Sequence, residues 1–335
     1  MMTPRRSVGT TLALALLLIC ATRAATPKGI LVPDRMTVTT SAGSGEAAYW
    51  SSAPLDGAHA DIVRAVIVIH GDLRDADVYR EVAEKARALS GARGVLLIVP
   101  QFLEAQDVGA DRDHLLLWSK GSWIGGLPAD HPAPISSFSV LDAFLERLAD
   151  RRAFPALRQV VVAGHSAGGQ IVQRYAVVGH AETALRAEGI AVRYVVANPS
   201  SLLYFSTDRP TAQSGFAPFD AARCAEFNQW KYGLEDLPPY VSRSALSSLE
   251  ETYVARDVVY LAGTADIDPN QAALDKTCPA EAQGPSRYVR AHAYFRYLQM
   301  RHPAGLAQRV IDVLGAGHSA EEMYTSAQAL PVLFQ

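Results

Sequence analysis

Gln159-Val160-Val161-Val162-Ala163-Gly164-His165-Ser166-Ala167-Gly168-Gly169 runs from an apolar, β-branched stretch through Gly-x-Ser-x-Gly into a helix-forming one. A chain that turns from strand to helix over so few residues needs a very tight reversal. That reversal holds Ser166 in a strained backbone conformation and lifts its hydroxyl clear of the sheet. Side chains two positions either way would collide with the turn, which accounts for Gly164 and Gly168. A helix starting near Ala167 aims free N–H groups at the same point, where they favour negative charge. Ser166 is therefore the candidate nucleophile.

Outward from this stretch, similar short apolar runs recur at 65–69, 95–99, 191–197, 258–262 and 310–314. Continuous runs of this length fit strands buried on both faces, as in a parallel sheet. Helix-like stretches at 78–89, 140–151 and 170–178 lie between them, and 290–300 is another. The alternation predicts an α/β fold with a mostly parallel, doubly wound sheet. Residues 36–40 and 47–50 suit an antiparallel hairpin at its edge. Two segments break the pattern, 101–134 and about 199–256. The second is expected to form a cap-like insertion after the sixth strand. It carries Tyr204, Phe205, Phe216, Phe219, Phe227, Trp230, Tyr232 and Tyr240. Long connections near the carboxyl ends of parallel strands commonly bind ligands, so these aromatics either line a pocket or pack a satellite core. Trp118, Trp123 and Trp230 carry the same ambiguity.

A serine hydroxyl needs a base within hydrogen-bond reach, and the base needs an orienting carboxylate. After a Gly-x-Ser-x-Gly turn the chain order is serine, acid, histidine. His318 follows the last apolar run inside Gly315-Ala316-Gly317-His318-Ser319, where glycines permit a tight loop. His292 sits in a helix-like stretch, and His302 precedes Pro303 in a polar connection. His318 is the expected base. The expected acid is Asp266, directly after the run ending Ala262-Gly263-Thr264-Ala265, with Asp268 its rival two residues on. The run Ala65-Val66-Ile67-Val68-Ile69 ends in His70-Gly71-Asp72. The loop after such a strand and the residue after the nucleophile supply the N–H groups that meet a developing oxyanion, here Asp72 and Ala167. His70 is expected to prop that loop.

The formal net charge is −3 over 335 residues, with charged residues making up 19%. Nothing in this composition offers the basic face that a nucleic-acid partner requires. Residues 1–24 read as an export signal: Arg5 and Arg6, a short apolar run to Ile19, and a small residue at Ala24. The run is shorter than the about 20 residues a membrane span needs. Ile19 before Cys20 disfavours lipidation. Removing 1–24 leaves two cysteines, Cys224 and Cys278, and takes the formal charge from −3 to −6. A pair in an exported chain is expected to form a disulfide. That bridge would make the second segment a fixed cap.

The residues His70-Gly71, Gly164-His165-Ser166-Ala167-Gly168, Gly263-Thr264-Ala265-Asp266 and Gly317-His318 resemble the α/β-hydrolase superfamily over most of the chain. Arg74-Asp75-Ala76, Asn198-Pro199-Ser200-Ser201 and Gln283-Gly284 with Arg287 resemble an exported subgroup of it. The resemblance implies hydrolysis of an ester, thioester or amide through an acyl-enzyme, with no metal or cofactor. A small-molecule or polymer ester is the expected substrate. A serine peptidase or amidase, and a catalytically silent binding protein, are the alternatives.

Overall fold

A computed structural model describes residues 1, 30–109, 112–213, 215–241 and 243–335. The expected export signal therefore lies outside the described residues, save for Met1. Eight strands form one sheet: β1 Asp34–Thr40, β2 Gly43–Ser51, β3 Arg64–Ile69, β4 Val95–Gln101, β5 Gln159–His165, β6 Ala191–Ala197, β7 Asp257–Gly263 and β8 Arg309–Val313. Their order is β1-β2-β4-β3-β5-β6-β7-β8. β2 runs antiparallel to both β1 and β4, and every later pairing is parallel. This is the mostly parallel sheet expected from the sequence, and the edge hairpin closes with Thr40 opposite Gly43.

The apolar runs are continuous because both faces of the central strands are covered. On one face Val66, Val68, Leu97 and Val161 meet α1 (Ala76–Ser90), α8 (Ala320–Tyr324) and α9 (Ala329–Phe334). α1 offers Tyr79, Val82, Ala83 and Ala86, spaced as one helical face, and ends at Gly91 in the left-handed conformation. On the other face Ile67, Val160, Val162 and Val196 meet α2 (Ser137–Ala149), α3 (Ala167–Val178) and α7 (Arg287–Arg301). α2 begins three residues before its expected start, because the Ser136 hydroxyl accepts from Phe138 N–H and caps it there. The short helices α4 (Glu182–Ala187), α5 (Leu249–Val254) and α6 (Cys278–Glu281) complete the described set.

The two long segments pack differently from one of their expected uses. Trp123 is fully buried and stacks on Phe102 at 5.3 Å. Trp118 is buried with its indole N–H on the Leu127 carbonyl, and Trp230 donates to the Gly125 carbonyl at 2.6 Å. In 199–256, Tyr204, Phe227 and Tyr232 are buried, while Phe205, Phe216, Trp230 and Tyr240 pack against the main core. Their rings serve structure, since the cleft beside Ser166 is lined by none of them. The Cys224–Cys278 disulfide, with Cα atoms 5.9 Å apart and a sequence separation of 54, ties this segment to the start of α6. Among the described residues, no helix is long and apolar enough to cross a membrane.

Candidate active site

Ser166 stands between β5 and α3 with φ 58° and ψ −118°, a left-handed backbone that costs a non-glycine residue about 1–3 kcal/mol. The turn is tight enough to require its glycines. A Cβ on Gly164 would lie 2.1 Å from the Gly168 carbonyl oxygen, and one on Gly168 would lie 2.3 Å from that of Ile69. Both obstacles are backbone and cannot swing away. Ser166 N–H donates to the Ala197 carbonyl at 3.0 Å, which fastens the turn to the end of β6.

Three loops converge on this hydroxyl. His318 Nε2 lies 2.9 Å from Ser166 Oγ, and His318 Nδ1 lies 2.8 Å from Asp266 Oδ2. The chain thus brings together three of its predicted residues from positions up to 152 apart. Asp268 is exposed instead and accepts from Asn270 N–H. His292 pairs with Asp312 and His302 with Glu250, both away from Ser166. The His318 loop is hooked to the sheet by Asn198, which adopts φ 43°. Its side-chain carbonyl accepts from Gly263 N–H at 2.8 Å, and its amide donates to the Gly317 carbonyl at 3.0 Å. The loop ends of β6, β7 and β8 are therefore joined by one side chain.

The Gly71–Arg74 turn closes the other side. A Cβ on Gly71 would sit 3.8 Å from Ser166 Cβ. Ala167 is the first residue of α3, so its N–H has no intrahelical acceptor. Arg74 anchors the turn through Asp107 at 2.6 Å, and its carbonyl accepts from Gln101. His70 sits beneath, fully buried. Its Nδ1–H donates to the Gly71 carbonyl at 2.8 Å, and Nε2 accepts from Phe102 N–H at 2.9 Å. Burial pushes its pKa down to about 4, so the ring is neutral and serves as the prop expected of it.

Two residues matter here beyond the sequence expectation. His165 packs 4.7 Å from the His318 ring, with its Nδ1 3.0 Å from the Tyr79 hydroxyl. Burial, with His318 and Arg287 adding to it, drives its pKa well below the usual histidine range. Arg287 lies behind the acid and is fully buried. It donates from Nη1 to Asp266 Oδ1 at 3.3 Å and to Gln271 at 3.1 Å, and from Nε to Ser200 Oγ at 2.9 Å. Only its motif resemblance had marked it, because a charged side chain in a helix reads as surface. Gln283 pairs both ways with the Leu202 backbone, so the quoted motifs interlock around the acid.

A cleft of about 400 Å³ opens over Ser166, walled by Gly71, Asp72, Val78, Ala273, His318 and Glu321. Among the described residues, no three His, Cys, Asp or Glu side chains cluster as a metal ion would need. The arrangement can activate the serine hydroxyl and hold negative charge beside it.

No protein-family model matches the chain, and no curated protein matches it. Solved structures do. It is similar to a poly(aspartic acid) hydrolase-1 from Sphingomonas sp. KT-1, with 22% identity and a TM-score of 0.57 over 91% of this chain and 100% of that one. It is similar also to a poly(3-hydroxybutyrate) depolymerase from Bordetella parapertussis, with 21% identity and a TM-score of 0.56 over 84% of this chain and 81% of that one. Likeness at this identity is a likeness of fold.

Proposed function

We propose that this chain, which has the α/β-hydrolase fold, is an exported serine hydrolase that cleaves carboxylic esters through an acyl-enzyme. The observation that carries the reading is the Ser166–His318–Asp266 hydrogen-bond chain, at 2.9 and 2.8 Å. Ser166 attacks the acyl carbonyl while His318 Nε2 takes its proton. Asp266 holds the His318 tautomer and stabilises the imidazolium. The N–H groups of Asp72 and Ala167 meet the oxyanion, and losing one such donor costs about 3–4 kcal/mol of transition-state stabilisation. His318 then protonates the leaving group, and water repeats the sequence on the acyl-enzyme.

The two structural relatives are named for hydrolysing a polymer, which supports an oligomeric or polymeric acyl substrate. Export is supported by the leader pattern of 1–24 together with the Cys224–Cys278 disulfide. The test is labelling by a fluorophosphonate, paired with hydrolysis of a simple aryl ester. Wild type should be labelled at Ser166 and should turn over. Ser166→Ala should be folded, unlabelled and slower by roughly 10³-fold or more. An unlabelled wild type, or a Ser166→Ala variant that keeps its rate, rejects the mechanism. Aryl esters set against aminoacyl amides then separate esterase from amidase.

A further inference from the structure

Side chains alternate along β5, so Val161, Ala163 and His165 face α1 while Val160 and Val162 face the other layer. α1 in turn presents Tyr79 with Val82, Ala83 and Ala86. The two patterns bring together a phenol and an imidazole that the hydrolytic steps above leave without a role. The Tyr79 hydroxyl lies 3.0 Å from His165 Nδ1. Both side chains are buried, and the His165 ring sits 4.7 Å from the His318 ring at an interplanar angle of 35°.

The direction of the proton between them is fixed. Burial keeps the Tyr79 phenol protonated, and burial with His318 and Arg287 beside it keeps His165 neutral. Among the described residues the Tyr79 proton has one acceptor, His165 Nδ1. His165 therefore carries its own proton on Nε2, and its ring cannot flip without losing the Tyr79 bond. Tyr79 is itself confined, because its hydroxyl abuts the oxyanion turn: a Cβ on Gly71 would lie 3.0 Å from it.

His318 has a degree of freedom that such an anchored ring removes. Its bonds to Asp266 and Ser166 are made at its two ring nitrogens. They hold the imidazole within its plane but leave it free to tilt about the line joining those nitrogens. The Asn198 bridge grips the backbone at Gly317, one residue earlier, and leaves that tilt open too. A ring packed against the imidazole opposes the tilt. We infer that Tyr79 and His165 form a positioning pair that fixes the tilt of His318, Tyr79 acting through His165 and His165 through the base. This inference rests on the serine-hydrolase reading above, since the tilt matters because His318 transfers the proton.

The test uses 4-nitrophenyl acetate and three phenol or imidazole replacements. Acylation and deacylation both route a proton through His318, so Tyr79→Phe should lower kcat and kcat/KM together by about 10- to 100-fold, with KM unchanged and the circular dichroism spectrum intact. In a His165→Phe background, where no Nδ1 remains to be held, Tyr79→Phe should cost nothing further. Tyr324→Phe is the control: it removes a buried hydroxyl that has no hydrogen-bond partner, and it should leave kcat unchanged. If the Tyr79 and His165 variants do not fold, nitrogen-15 shifts of wild type decide the matter, and His165 should show its proton on Nε2 with a bare Nδ1. A wild type that is labelled at Ser166 and active overturns the inference alone in any of three cases: Tyr79→Phe loses stability yet keeps kcat, the two losses multiply, or His165 carries its proton on Nδ1. A wild type neither labelled nor active overturns the hydrolase reading, and the inference with it.

Discussion

Replacing Arg287 by methionine should unmask a buried ion pair, and the size of the effect follows from its surroundings. The Arg287 and Asp266 side chains are 0% and 3% exposed. Methionine fills the aliphatic part of the cavity but removes the guanidinium's hydrogen bonds to Asp266, Gln271 and Ser200. Asp266 then keeps its charge inside the protein with His318 as its remaining side-chain partner. Breaking one side of such a pair costs about 3–5 kcal/mol. The 3.3 Å contact is long for a charge-assisted bond, so the lower end applies. In an Asp266→Asn background the same change removes a cation that has already lost its carboxylate, and it should cost little or even stabilise. The double-mutant cycle should therefore show a coupling of about 2 kcal/mol or more. Urea unfolding under non-reducing conditions at pH 7 measures it on four proteins. Single losses that simply add, to within about 0.5 kcal/mol, would show that the arginine and the acid do not act as a pair.

Further outcomes are expected. Asp266→Asn should lower kcat by about 10⁴-fold, while Asp268→Asn, exposed and bonded to Asn270, should leave it within a few-fold; an inversion of that order in aryl-ester kinetics reassigns the acid. Gly168→Ala should abolish turnover or folding because its Cβ would press on the Ile69 and His70 carbonyls at 2.3 and 2.6 Å, whereas Gly189→Ala, with nothing within 4 Å of its Cβ but φ 70°, should cost only about 1 kcal/mol in an unfolding titration. Reducing Cys224–Cys278, a loop of 54 residues, should lower stability by about 4 kcal/mol in the chain-entropy model, and an unchanged Tm under reductant would contradict it. His70 is neutral when folded, with its pKa lowered from 6.5 to about 4. The unfolded chain therefore binds a proton in that interval that the folded chain refuses, and stability falls as pH drops from 6.5 to 4, by about 3 kcal/mol from this residue alone. Equal stability at pH 7 and pH 5 would argue against a neutral, buried His70.

The parts that were legible share a cause. β3, β4, β5, β6 and β7 are covered on both faces, so each writes an uninterrupted apolar run into the sequence. Ser166, Asp266 and His318 stand in loops just beyond such runs, where glycines betray tight turns. Elements of four to six residues, such as α4, α6, α8 and α9, are too short for a helical period to declare itself. Buried cations were illegible for another reason. Arg174 and Arg290 are enclosed by carbonyls from remote segments, among them those of Ile124, Lys231, Ser200 and Asp275. A pattern along the chain cannot foretell such cages. Nor could it divide the aromatics of 199–256 between lining and packing, since a ring obeys the same local rules in either use.

The Asn198 bridge has a consequence for how this site can change. One carboxamide performs two separable duties: its oxygen steadies a strand terminus, and its nitrogen restrains the loop that presents the imidazole. Aspartate at 198 would preserve the acceptor and tolerate the left-handed backbone, yet it would surrender the donor. Such an exchange would also set a buried carboxylate oxygen against the Gly317 carbonyl, so at this position the presentation of the ring cannot loosen without a cost to the scaffold.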